Sequence, residues 1–125
     1  MKTRAVVDSS VWIEMLMVGK KHDTCRRAFE GFDEIIVPTV VLYEVYKKIA
    51  TQVSEEDGLA VVGEMSRHTI VNLDRTIALL AADISRGERL GMADGVVLAH
   101  ARSARAKLLS LDNDFASIAE VQILR

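Results

Sequence analysis

Short apolar strings alternating with longer segments of helical periodicity constrain this chain more than any other feature. Arg4–Val7, Ile35–Val37, Thr69–Val71 and Lys107–Leu111 read as strands, with Val121–Leu124 as an optional fifth. Between them, Val11–Val18, Asp23–Phe32, Thr39–Val53, Glu55–Arg67, Arg75–Leu90 and Ala93–Ala104 place their apolar residues at helical spacing. Ser9, Ser10, Ser54 and Asp74 stand where helix N-caps are needed, and Pro38 and Gly91 precede two further helix starts. Strands that are apolar throughout and alternate with helices need cover on both faces. The expected fold is therefore α/β, a three-layer α/β/α arrangement around a parallel sheet of four or five strands. A length of 125 residues with no linker, repeat or low-complexity tract suits one domain, 1–125.

In such sheets chemistry sits outside the carboxyl ends of the strands. Asp8 ends the first strand and Asp112 follows the fourth, so both fall on that edge. Asp8 is either a turn residue that caps the following helix or a free carboxylate; Ser9 and Ser10 suffice as caps, which favours the second. Asp94 lies on the core-facing arc of its helix beside Val97, Leu98 and Ala101, a costly place for a carboxylate unless something compensates it. The helix N-terminus supplies part of that compensation, and Gly95 lets neighbouring groups come close. Asp112 and Asp114 straddle Asn113 ahead of Phe115, which is expected to anchor the turn in the core; turn formation alone accounts for either aspartate. Glu44 is different. It sits at the centre of the polar arc of its helix with Lys47, Lys48 and Thr51, four residues before Lys48, and reads as a solvated glutamate in an i, i+4 pair unless that stripe lines a cleft.

Several function classes are excluded or disfavoured. The net charge of −2 gives no general attraction to nucleic acid, which leaves local contacts through a metal ion and a few basic side chains. Arg75, Arg86, Arg89 and Arg102 are candidates for such contacts, although solvated helix faces explain them as well. A single cysteine, Cys25, supplies neither an internal disulfide nor a multi-cysteine zinc site, and suits a reducing compartment. His22, His68 and His100 share no ligand-like spacing. Glycine-rich phosphate loops and a nucleophile elbow are missing, and the first strand lacks the glycine fingerprint of a dinucleotide binder. Asp8 interrupts the first apolar run too early for a signal peptide, and no stretch reaches the roughly 18 apolar residues of a membrane span. A cytoplasmic protein is the expectation.

Four stretches together resemble the PIN-domain family, most closely its VapC-type toxins of prokaryotic toxin–antitoxin pairs. VVDSSVWIEML is similar to the family's strand–Asp–small–Ser–helix opening, and PTVVLYEVYKK to the helix glutamate after strand two. GMADGVVLAHARSARAKLLSLDNDF resembles the Asp-led helix followed by a strand ending in Ser/Thr-x-Asp-x-Asp-Phe. The resemblance places Asp8, Glu44, Asp94 and Asp112 on the family's acidic quartet, with Asp8, Asp94 and Asp112 as metal ligands. Asp114, Ser10 and Ser110 fall on auxiliary positions, and it is the resemblance alone that lifts Glu44 above a surface glutamate. It implies an endoribonuclease dependent on Mg²⁺ or Mn²⁺, an RNA substrate, a homodimer and a cognate antitoxin. Alternatives are a PIN nuclease of RNA maturation or turnover outside a toxin pair, and a catalytically silent PIN module.

Overall fold

The computed structural model describes residues 1–125. All five strands run parallel, in the order β3-β2-β1-β4-β5: β1 (Arg4–Val7), β2 (Glu34–Pro38), β3 (Thr69–Val71), β4 (Lys107–Ser110) and β5 (Val121–Ile123). The helices are α1 (Ser9–Leu16), α2 (His22–Glu30), α3 (Thr39–Gln52), α4 (Glu55–Met65), α5 (Arg75–Glu88) and α6 (Met92–Ser103). The fifth strand, optional on sequence, pairs with β4 from Leu108–Val121 to Ser110–Ile123.

Strand β1 lies at the centre because nothing in its inner part needs water: Ala5, Val6 and Val7 are fully buried, as are Leu108 and Leu109 beside them in β4. The chain builds β2 and β3 on one side of β1, then returns to build β4 and β5 on the other. The strand order thus reverses between β1 and β4, which is where an open α/β sheet leaves a crevice. Phe115, in a 3₁₀ turn at Asn113–Phe115, is fully buried and anchors the segment after β4 as expected.

Side chains cap three helices. Ser54 accepts from Asp57 N–H at 3.0 Å and Asp74 from Ile77 N–H at 2.9 Å, both at the predicted positions. The third corrects the sequence expectation: α1 begins at Ser9, and Asp8, thought to be left free by Ser9 and Ser10, is itself the N-cap, accepting from Ser9 N–H at 2.8 Å. Capping and a place at the strand end are compatible, because the cap uses only Oδ1.

Helices α5 and α6 pack at unusually close range through Gly95. A Cβ there would stand 2.1 Å from Ser85 Oγ and 3.0 Å from the Ala81 carbonyl oxygen. No side chain caps α6, whose N-cap is Gly91. In the first turn of that helix, directly before Gly95, Asp94 reaches the carboxylates that follow β4.

Candidate active site

The site grows out of the β1–β4 ladder. Asp8 N–H donates to the Leu109 carbonyl at 2.9 Å, so the main chain pairs right up to the first acidic residue. Two hydroxyls then stitch the strand ends together. Ser110 Oγ donates to Asp8 Oδ2 at 2.8 Å and accepts the Asp112 N–H at 3.0 Å. Ser10 Oγ donates to the same Oδ2 at 3.1 Å and accepts the Leu111 N–H at 3.1 Å. Asp112 in turn caps the 3₁₀ turn, its Oδ1 accepting from Asp114 N–H at 2.9 Å. Turn chemistry and site building are therefore the same hydrogen bonds.

Around this frame the carboxylates gather. One oxygen each of Asp94, Asp112 and Asp114 lie within 4.8 Å of one another. Asp94 and Asp112 are half-buried and Asp114 is exposed. Asp8 is 5% exposed, and burial pushes its carboxyl above the ordinary carboxylate value. Hydrogen bonds from Ser110, Ser10 and Ser9 oppose that rise, and the charge of Asp112 adds to it. Asp94 is pushed up to about 6, first by burial and then by the charges of Asp8, Asp112, Asp114 and Glu44. One carboxyl thus feels every other acidic residue that the sequence assigned to the site.

Glu44 does not make the expected pair with Lys48; the ion pairs of the chain lie elsewhere. It is half-buried, and its carboxyl is raised by burial and by Asp8, with the Ser9 hydroxyl opposing. The polar stripe of α3 lines a cleft, the alternative that periodicity left open. Glu44, Lys47, Lys48 and Thr51 border a groove of about 440 Å³ together with Ser9 and Tyr43. Of the arginines considered for phosphate contacts, Arg86 pairs with Asp83 at 3.7 Å and Arg102 with Glu120.

The donor set is all oxygen. His68 packs edge-on against Trp12 and Phe29, His100 is buried, and His22 contacts Asp23. Crowded carboxylates of this kind, held apart in sequence and together in space, fit a hard divalent cation such as Mg²⁺ or Mn²⁺. Asp114, ranked as auxiliary on sequence, stands inside the compact trio, whereas Asp8 has both oxygens already engaged by protein donors. The sequence signals for Asp114 are its i+2 spacing from Asp112 and the family resemblance, which gives it an auxiliary position.

A profile of the PIN domain matches residues 5–121. The chain belongs to the PIN-domain family. No match is found among curated protein sequences. In three dimensions the PIN domain is similar to a toxin–antitoxin complex from Klebsiella pneumoniae, with a TM-score of 0.80 and 22% identity over 94% of this chain and 95% of that one. It is also similar to VapC20 from Mycobacterium tuberculosis, described as a sarcin–ricin loop cleaving toxin, with a TM-score of 0.79 and 16% identity over 97% and 99% of the two chains. VapBC2 from Rickettsia felis, bound to a promoter DNA fragment, matches with a TM-score of 0.78 and 13% identity over 98% and 100%. At these identities the shared property is the fold. No helix of this PIN domain is long and apolar enough to cross a membrane.

Proposed function

We propose that this PIN domain is a metal-dependent endoribonuclease that cuts single-stranded or looped RNA, and that it is the toxin of a VapBC-type pair. The observation that carries the proposal is the convergence of Asp94, Asp112 and Asp114 within 4.8 Å, tied to Asp8 through Ser110. A purely structural module gains nothing from packing acids that raise one another's pKa. In this reading Asp94 and Asp112, with Asp8 or Asp114, hold Mg²⁺ or Mn²⁺, and Glu44 orients water or completes a second position. When bound, the ion supplies charge stabilisation for the scissile phosphate and lowers the pKa of an attacking water. Ser10 and Ser110 act by positioning: both fix Asp8 Oδ2, and through the Leu111 and Asp112 N–H groups they fix the turn that bears Asp112.

The choice of RNA draws on likeness to a neighbour described as a toxin that cleaves the sarcin–ricin loop, and the antitoxin partner on likeness to toxin–antitoxin complexes. A homodimer and a cytoplasmic location accompany the same proposal. The deciding experiment incubates the pure protein with a mixed RNA pool, with and without Mg²⁺ or Mn²⁺. Cleavage that needs the cation and disappears in Asp8→Asn and Asp94→Asn is expected. Cleavage that survives both substitutions, or excess chelator, overturns it.

A further inference from the structure

A polyanion approaching this acidic cluster is repelled by it, so substrate binding needs cations placed beside the site. The chain as a whole does not provide them, with 16 basic residues against 18 acidic ones. Five of the sixteen, Arg4, Arg26, Arg67, Arg86 and Arg102, already pair with carboxylates. A second basic surface, at Arg105 and Lys107, lies where β4 begins, at the opposite end of the strands from Asp8 and Asp112.

The groove along α3 is different. Lys47 and Lys48 are exposed, have no carboxylate partner, and border the same groove as Glu44. Ser9 also borders the groove, and its N–H donates to Asp8 Oδ1 at 2.8 Å, so the groove runs up to the first carboxylate of the site. Residues 44, 47, 48 and 51 recur at helical spacing and form one row, about 10 Å long at 1.5 Å per residue. Tyr43, 61% exposed, stands at the side of the row with the Lys47 ammonium 5.7 Å from its ring centroid. An exposed aromatic ring next to two ammonium groups without carboxylate partners matches what sequence-independent recognition of a single strand uses: base stacking combined with phosphate neutralisation.

We infer that the α3 groove is the track on which a single RNA strand lies as it enters the acidic cluster, with Lys47 and Lys48 engaging phosphates next to the scissile one and Tyr43 stacking on a base. This deepens the nuclease proposal and rests on it. The test uses the full chain with Asp94→Asn to prevent cleavage, and a fluorescein-labelled single-stranded RNA of mixed sequence, read by anisotropy across a KCl series. Adding K47A/K48A should weaken binding by about tenfold or more and flatten the slope of log K against log salt by about 1.4, since each phosphate contact on a single strand contributes about 0.7. K47R/K48R should keep both affinity and slope. Y43A should cost about fivefold or more without changing the slope. Unchanged affinity and slope in K47A/K48A, or no RNA binding before these substitutions, overturns the inference. Unchanged RNA binding combined with a lost acidic peptide ligand or an altered oligomeric state in sedimentation assigns the groove to a protein partner instead, and also overturns it. Failure of the nuclease proposal shows separately, as absence of RNA cleavage by the unsubstituted protein while the anisotropy comparison still stands.

Discussion

Ser110 donates a 2.8 Å hydrogen bond to Asp8 from 102 positions further along the chain. The same oxygen accepts the Asp112 N–H at 3.0 Å, so one fully buried hydroxyl serves two acidic residues at once. Ser10 repeats the arrangement from the other side, between Asp8 and the Leu111 N–H. The carboxylate frame is thereby an extension of the β1–β4 ladder and inherits its rigidity.

Ser110→Ala should be costly out of proportion to the atom removed. It leaves the Asp112 N–H without its acceptor and takes one of two hydroxyl donors from Asp8 Oδ2. A loss of about 1–3 kcal/mol is expected for a buried group stripped of its partner. Urea unfolding should show a lower midpoint at unchanged m-value; an unmoved midpoint counts against the role assigned to this hydroxyl.

Asp94 should make the metal-free protein less stable as pH rises. Its folded-state pKa of about 6 lies above the ordinary 3.8. Below the lower value the carboxyl is protonated in both folded and unfolded states, and its contribution to stability is fully present. That contribution is lost as pH rises through about 6, because the folded protein must then ionise a crowded, half-buried group. Asp94→Asn escapes this loss. In chelator it should gain on the unsubstituted protein between about pH 4 and pH 6.5 and then level off, by a difference on the order of 1–3 kcal/mol. Parallel pH–stability curves for the two proteins would contradict the assignment.

Divalent cation should reverse the same penalty. At about 100 times its dissociation constant, a ligand that binds only the folded state adds about 2.7 kcal/mol. Thermal unfolding at neutral pH should therefore shift upward with Mn²⁺, and much less in Asp94→Asn or Asp112→Asn. An equal shift in the substituted proteins places the ion elsewhere.

Gly95→Ala should destabilise, against helix propensity, which favours alanine by about 1 kcal/mol. The new methyl meets Ser85 Oγ at 2.1 Å and the Ala81 carbonyl oxygen at 3.0 Å, so the Ser85 hydroxyl has to swing away from its Gly91 carbonyl partner and the α5 backbone at Ala81 has to yield slightly. A net loss of about 1–3 kcal/mol follows from overpacking. Gly63→Ala and Gly87→Ala, where no atom lies within 4 Å, should instead be neutral or stabilising, and differential scanning calorimetry of the three variants decides the sign.

The sheet was readable in sequence because strands buried on both faces must be apolar throughout, and Ala5–Val7 and Leu108–Leu109 are. Asp94 was readable for the opposite reason, as a carboxylate on an arc that otherwise faces the core. Glu44 was not readable from its pattern, since periodicity separates buried from wet surfaces and cannot separate a wet groove from open water. The dual use of Asp8 was hidden because cap preference ranks Ser and Asp alike. Neither could spacing show that Asp114 would stand closer to Asp94 and Asp112 than a supporting position requires; that depends on the tightness of the turn around Phe115.

The bond between Ser110 and Asp8 also sets a time order. Translation proceeds at roughly 5–20 residues per second, so Asp8 leaves the ribosome many seconds before the hydroxyl that orients it, 102 positions behind. A nascent chain holds the first carboxylate with its Ser9 and Ser10 partners, but not the Ser110 and Asp112 half of the frame. Whatever this protein does to its surroundings, it cannot begin before its fourth strand has been made.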